Sequence, residues 1–115
     1  MKLLFTKLRC VVCNVVAHSA LLTYNAALNR PAYQSSVWRT SWRGGFIASL
    51  ANDGDHETKF DKDNRPRCSH TNDNLNPWWA VDLGHPTTIY RVDLTNRGNL
   101  QAWVIFGSFS LFSYF

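Results

Sequence analysis

Long hydrophobic runs are missing from this chain. No stretch of its 115 residues approaches the roughly 20 apolar residues that a membrane-crossing helix needs. Charge is also scarce. Only 17% of residues are charged, against roughly a quarter in an ordinary globular protein. The net charge is +4 and the pI about 9.2, yet there is no run of Lys or Arg. Lys2, Lys7 and Arg9 sit at the extreme N-terminus and the other basic residues are scattered. That distribution lacks the electrostatic footprint of a nucleic-acid binder. No amphipathic helix of useful length occurs. Cysteine is limited to Cys10, Cys13 and Cys68. Cys10 and Cys13 have a CxxC spacing, but no second pair completes a zinc site and no strand–turn–helix context supports redox chemistry. His56, His70 and His85 have no nucleophile motif beside them, and His56 and His85 lack metal-ligand spacing. No nucleophile–base constellation can be named, so the chain reads as a non-enzyme.

What is present is a globular composition, 45% hydrophobic with five tryptophans, enough for one domain. Residues 1–17 read as a poor secretory leader. An apolar start and a Val15-Val16-Ala17 end fit one, while Lys7 and Arg9 interrupt it. Removal of that segment would leave Cys68 alone, as a free thiol, an intermolecular bond or half of a missing pair. Past Pro31, which stops any helix, Tyr33–Trp38 reads as a short strand. Phe46–Ala51 reads as one helical turn or an irregular segment. Residues 52–77 are almost wholly polar, with turn signals at Asp53-Gly54, Arg65-Pro66 and Asn76-Pro77. Trp79–Leu83 alternates and ends at Gly84. Ile89–Thr95 alternates too, placing Tyr90, Val92 and Leu94 on one face and Arg91, Asp93 and Thr95 on the other. Ala102–Phe106 is a further candidate strand. The fold class is therefore all-β, and short strands with long loops favour a β-sandwich of jelly-roll type.

Three blocks carry a more specific signal: Cys68-Ser69-His70-Thr71, then Asn76-Pro77-Trp78-Trp79-Ala80-Val81-Asp82-Leu83-Gly84, then Val92-Asp93-Leu94-Thr95-Asn96-Arg97-Gly98. Together they resemble the signature of F-type lectins (fucolectins), members of the discoidin-like, galactose-binding-like sandwich group. The resemblance covers residues 25–99, and residues 100–115 form an apolar tail outside it. It implies a secreted, extracellular module that binds fucosylated glycans, needs no catalysis and serves innate recognition of microbial sugars. A homo-oligomer is also within its scope. It further implies that His70 and Arg97 grip the sugar. They enclose 26 residues, positions 71–96, as the family motif requires. The chemistry suits that task. Arginine offers a rigid fork of donors, and a neutral imidazole offers one donor and one acceptor. A structural Ca²⁺ is implied as well, held by the Asp53 side chain and the backbone carbonyls of Leu50, Asp55 and Arg67. Oxygen ligands around a glycine-bearing turn are what calcium takes.

The chain departs from the pattern in three places. Asn99 stands where the family has the aspartate that orients the arginine, and the adjacent cysteine pair is absent. The next basic ligand falls at Val104. The chain ends at Phe115, before the last family strands, which would carry further calcium ligands and a cysteine for Cys68. The tail alternates imperfectly, so it reads as a weak strand. A sandwich short of strands exposes an edge and half a core, and such a chain is expected to fold poorly without a partner. The alternative to a fucose lectin is a degenerate discoidin-like module that binds protein or membrane surfaces with its sugar site lost. Trp38, Trp42 and Arg43 would be its loop tip.

Overall fold

The computed structural model describes residues 1–6, 11–19, 24–42, 44–59, 61–72, 76–96, 98 and 108–112, the last five and Val11 by backbone alone. Ten strands are described: β1 (Lys2–Thr6), β2 (Val11–Val12), β3 (Asn14–Ser19), β4 (Ala32–Gln34), β5 (Arg39–Thr40), β6 (Gly44–Gly45), β7 (Ser69–His70), β8 (Trp78–Asp82), β9 (Ile89–Thr95) and β10 (Ser108–Phe112). Two single 3₁₀ turns, Ala48–Ala51 and Lys62–Asn64, are the helical elements among the described residues. The all-β reading stands. Every pairing is antiparallel. One sheet has the order β10-β1-β8-β4, and three two-stranded pairs join β2 to β7, β3 to β9 and β5 to β6.

β8 is the strand that its sequence announces. Trp79, Ala80 and Val81 are buried and the ends are half-buried. It stops because Asp82 Oδ1 accepts the Gly84 N–H at 2.8 Å and Gly84 takes a left-handed φ of +86°. A methyl at Gly84 would overlap the Arg30 guanidinium, whose Nε donates to Asp82 O at 3.3 Å. We expect Gly84→Ala to cost about 1–2 kcal/mol, chiefly from the left-handed backbone, read as a lowered urea midpoint at unchanged slope.

β9 differs from simple alternation. Its register on β3 shifts between His18 and Ser19: His18 faces Arg91 and Ser19 faces Ile89, so Tyr90 is an extra residue. This is a β-bulge, which reverses the facing of the chain on either side. Ile89, Val92 and Leu94 all pack on the core, whereas Tyr90 is 64% exposed. The expected shared face of Tyr90 with Val92 and Leu94 is thereby corrected.

The N-terminal segment supplies much of the interior. Leu3, Phe5, Val12, Val15 and Ala17 join Ala26, Ala27, Ala48, Ala51, Trp79, Val81 and Leu83 in one cluster. β1 lies inside the four-stranded sheet, with Phe5 opposite Trp79 on one side and Phe109 on the other. The apolar tail thus contributes a strand in register with β1, where the sequence alone suggested a poor one. Cys68 is no orphan: it is bonded to Cys13 across 55 residues of chain. The expectation that its partner lies beyond Phe115 is corrected accordingly. Cys13 was set aside with the leader, and only the folded register brings it beside Cys68.

The expected strand at Tyr33–Trp38 is shorter and earlier, at Ala32–Gln34. The candidate strand at Ala102–Phe106 lies outside the described residues. The 48–51 turn is stapled to the turn at 26–29 by Asn52, whose side chain is 1% exposed. Its Nδ2 donates to Ala27 O at 2.7 Å and Arg30 O at 2.8 Å, and the Asn52 backbone carbonyl accepts the Asn29 N–H at 2.8 Å.

Candidate functional site

His70 ends the two-residue strand β7. Its backbone N–H donates to Phe46 O at 3.1 Å, and its carbonyl accepts the Trp38 N–H at 2.9 Å. The Gln34 amide holds the same carbonyl at 3.2 Å and Phe46 O at 2.9 Å. The imidazole is stacked on Trp38, with centroids 4.7 Å apart and planes at 29°, and meets Phe46 edge-on at 6.0 Å. Its Nδ1–H donates to Thr71 O at 2.6 Å, which makes Nε2 the acceptor atom of the neutral ring. A half-buried histidine is thus fixed in rotamer, tautomer and height above the sheet.

Trp38 was grouped in sequence with Trp42 and Arg43 as a loop tip. The structure separates it from that role. Trp38 is half-buried under His70, whereas Trp42, beyond β5, is 76% exposed; Arg43 lies outside the described residues. Nothing in the sequence spacing marks Trp38 as the histidine's support, because the contact crosses 32 residues of chain.

Arg97 and Asn99 lie outside the described residues, as does Val104. Asn96 and Gly98, on either side of Arg97, are described. β9 ends at Thr95, whose carbonyl accepts the Cys13 N–H at 2.9 Å, and Gly98 N–H donates to Thr58 O at 2.9 Å. One short N-terminal stretch ties this end of β9 to His70. Val11 pairs with His70 in β2–β7, and Asn14 pairs with Thr95 in β3–β9. Three residues of extended chain span roughly 10 Å. The Cys13–Cys68 bond lies between the two pairings and locks them. Two stretches distant in sequence, 68–70 and the end of β9 at Thr95, are therefore tied to one another through residues 11–14.

The second candidate is the loop after the 48–51 turn. Asp53 Oδ1 accepts the Asp55 N–H at 3.0 Å, and Gly54 takes a φ of +85°. Asp53 is exposed; Leu50, Asp55 and Arg67 are half-buried. Asp55 Oδ1 accepts the Glu57 N–H, while its Oδ2 takes the Arg67 guanidinium at 3.1 Å. Arg67 also reaches Asp63 at 3.6 Å. The hydrogen bond from Lys62 is the main influence holding the Glu57 carboxyl below its ordinary range, and the same contact raises Lys62. No three His, Cys, Asp or Glu side chains converge among the described residues. The Asp55 carboxylate is already engaged by a cation, so Asp55 would offer an incoming ion its carbonyl. One carboxylate with several backbone oxygens is a donor set that suits a hard cation such as Ca²⁺ and no soft metal.

A family profile described as NedA-like, galactose-binding domain matches residues 50–110. Fucolectin-6 of Anguilla japonica is 37% identical over 75 residues, 65% of this chain and 39% of that protein. Fucolectin of Anguilla anguilla is 37% identical over 75 residues, 46% of its length, and Fucolectin-2 of Anguilla japonica 41% identical over 75 residues, 39% of its length. The chain spans about two-fifths of the length of these curated relatives. No solved structure matches it significantly.

Proposed function

This chain belongs to the family of NedA-like, galactose-binding domains, and we propose that it is a secreted carbohydrate-binding lectin module that takes a fucose-type sugar. The observation that carries the reading is the double tie of the 11–14 stretch. It joins His70 to the end of β9, where Arg97 follows two residues after Thr95. His70 Nε2 would accept from one sugar hydroxyl. The Arg97 fork would donate to its neighbours, and Asn99 would stand beside Arg97 where an orienting group is needed. Trp38, stacked beneath His70, keeps the imidazole from turning away. The role is recognition without catalysis, and its partners are fucosylated glycans outside the cell.

A structural calcium fits the same reading. Asp53 would hold it through its carboxylate, with the carbonyls of Leu50, Asp55 and Arg67. The ion would supply positive charge that rigidifies the 50–55 loop. Asn52 already fixes the root of that loop to the turn at 26–29.

The test is calorimetric titration of the full chain with L-fucose, with and without calcium. We expect binding that weakens on chelation. We also expect it to fall at least about tenfold in Arg97→Ala and in His70→Ala, the size of one lost hydrogen bond to a charged or fixed polar group. Absence of heat in a folded protein would overturn the lectin reading. Lipid or protein capture that ignores fucose would then favour the degenerate discoidin-like module.

A further inference from the structure

The bulge in β9 has a chemical surrounding of its own. Tyr90, turned outward, packs against the His18 ring of β3, with centroids 5.9 Å apart. Asp93 Oδ2 accepts from His18 Nε2 at 2.8 Å and from Arg91 Nη2 at 3.2 Å. So short a contact with a carboxylate places the imidazole proton on Nε2, and Nδ1 of the neutral ring becomes an acceptor. Arg91 Nη2 also lies 3.1 Å from His18 Nε2. With that nitrogen's proton directed at Asp93, this is proximity and not a second bond. The hydrogen bond from His18, ahead of the charge on Arg91, holds the Asp93 carboxyl below its ordinary range, so it is ionised at neutral pH.

The four side chains are thus mutually braced. Three are open to solvent, Tyr90 at 64% and the Arg91 and Asp93 side chains at 58% and 51%, while the His18 side chain is half-buried at 26%. One cation and one anion cancel. The second Arg91 nitrogen, Asp93 Oδ1 and His18 Nδ1 make no other bond among the described residues. Two fixed acceptors and a donor fork thus stand around one exposed aromatic face. The set disfavours an anion, which Asp93 repels, and a cation, which Arg91 repels. It suits a neutral ring with an apolar face and several hydroxyls.

We propose that this outer face of β3–β9 is a second carbohydrate subsite. A neutral pyranose stacks its C–H face on Tyr90 and is held through its hydroxyls by Arg91, Asp93 and His18. It shares no residue with the His70 edge. It lies four residues further along β3, from Asn14 to His18, or roughly 13 Å. The bulge is what creates it, since regular alternation would turn Tyr90 inward.

The experiment is a ¹⁵N–¹H titration of the full chain with methyl β-D-galactopyranoside. Saturating shifts are expected at the amides of Tyr90, Arg91, Asp93 and His18, and they persist in His70→Ala. Arg91→Ala and Tyr90→Ala, both at exposed positions, should weaken them about tenfold, while Tyr90→Phe, which keeps the ring, retains them. Shifts confined to Ser69–Thr71, shifts absent throughout, or an Arg91→Ala chain that binds unchanged would overturn the subsite. The first of these would leave the His70 reading intact, so the two proposals fail separately.

Discussion

A chain that begins at His18 is expected not to fold. Cleavage after Ala17, where the sequence has the look of a leader's end, removes β1, β2 and most of β3. It takes away Leu3, Phe5, Val12 and Val15, each at most 3% exposed. At about 1.5–3 kcal/mol for each buried side chain, that is roughly 6–12 kcal/mol. It also removes Cys13 and hence the bond to Cys68, and loss of a native disulfide in a small domain costs about 2–5 kcal/mol. A domain of this size has a net stability of about 5–15 kcal/mol, so the loss is comparable with the whole. With β10 and β1 joined to β8 and β4 in one sheet, the full chain should show a cooperative thermal transition by circular dichroism, in place of the poor folding expected from sequence, and the shortened chain none. Intact-mass measurement of the expressed product identifies its first residue. A product starting at His18 that melts cooperatively would show that β1 and β2 are dispensable, and the core described above would then be wrong.

The same segment shows why some of the fold was legible and some was not. β8 and β9 declare themselves because each has one buried face or a buried centre, and period two is a local property. The Asp53-Gly54 turn is equally local, and Gly54 has the positive φ that a glycine there suggests. A leader and a buried strand, by contrast, have the same apolar composition. Residues 1–17 distinguish them only through partners nearly 80 residues away, as with Phe5 opposite Trp79. The Cys13–Cys68 pairing is invisible for that reason. The bulge at Tyr90 is a matter of register, set by β3 and not by β9 itself, so alternation alone misplaces that ring. At the candidate sites, the resemblance to the F-type lectin motif pointed to His70 and Arg97. It contained nothing of the Trp38 stack or the 11–14 tie around His70.

Trp79→Ala should be the most damaging single substitution in the sheet. Trp79 is 1% exposed, faces Phe5 across β1 and Gln34 across β4, and its ring lies 5.7 Å from that of Phe5. Removing so large a buried side chain costs about 3–5 kcal/mol. That is a large share of the total, and a lowered denaturant midpoint should report it. Trp79→Phe separates packing from polarity. It keeps an aromatic ring but deletes the Nε1–H that donates to Ala48 O at 2.9 Å. Losing that hydrogen bond costs about 0.5–1.5 kcal/mol, and its acceptor heads the 48–51 turn. That turn leads directly into the 50–55 loop, and its N-terminal neighbour Phe46 lies against His70. On the proposed lectin reading, Trp79→Phe should therefore weaken affinity for fucose and calcium beyond what a global loss of stability explains. Gly84→Ala, just beyond the same strand's far end, should lose stability and keep both affinities. If the two variants weaken binding equally, the tryptophan acts through overall stability alone. If only Trp79→Phe does, the buried N–H on β8 positions the binding loops from beneath.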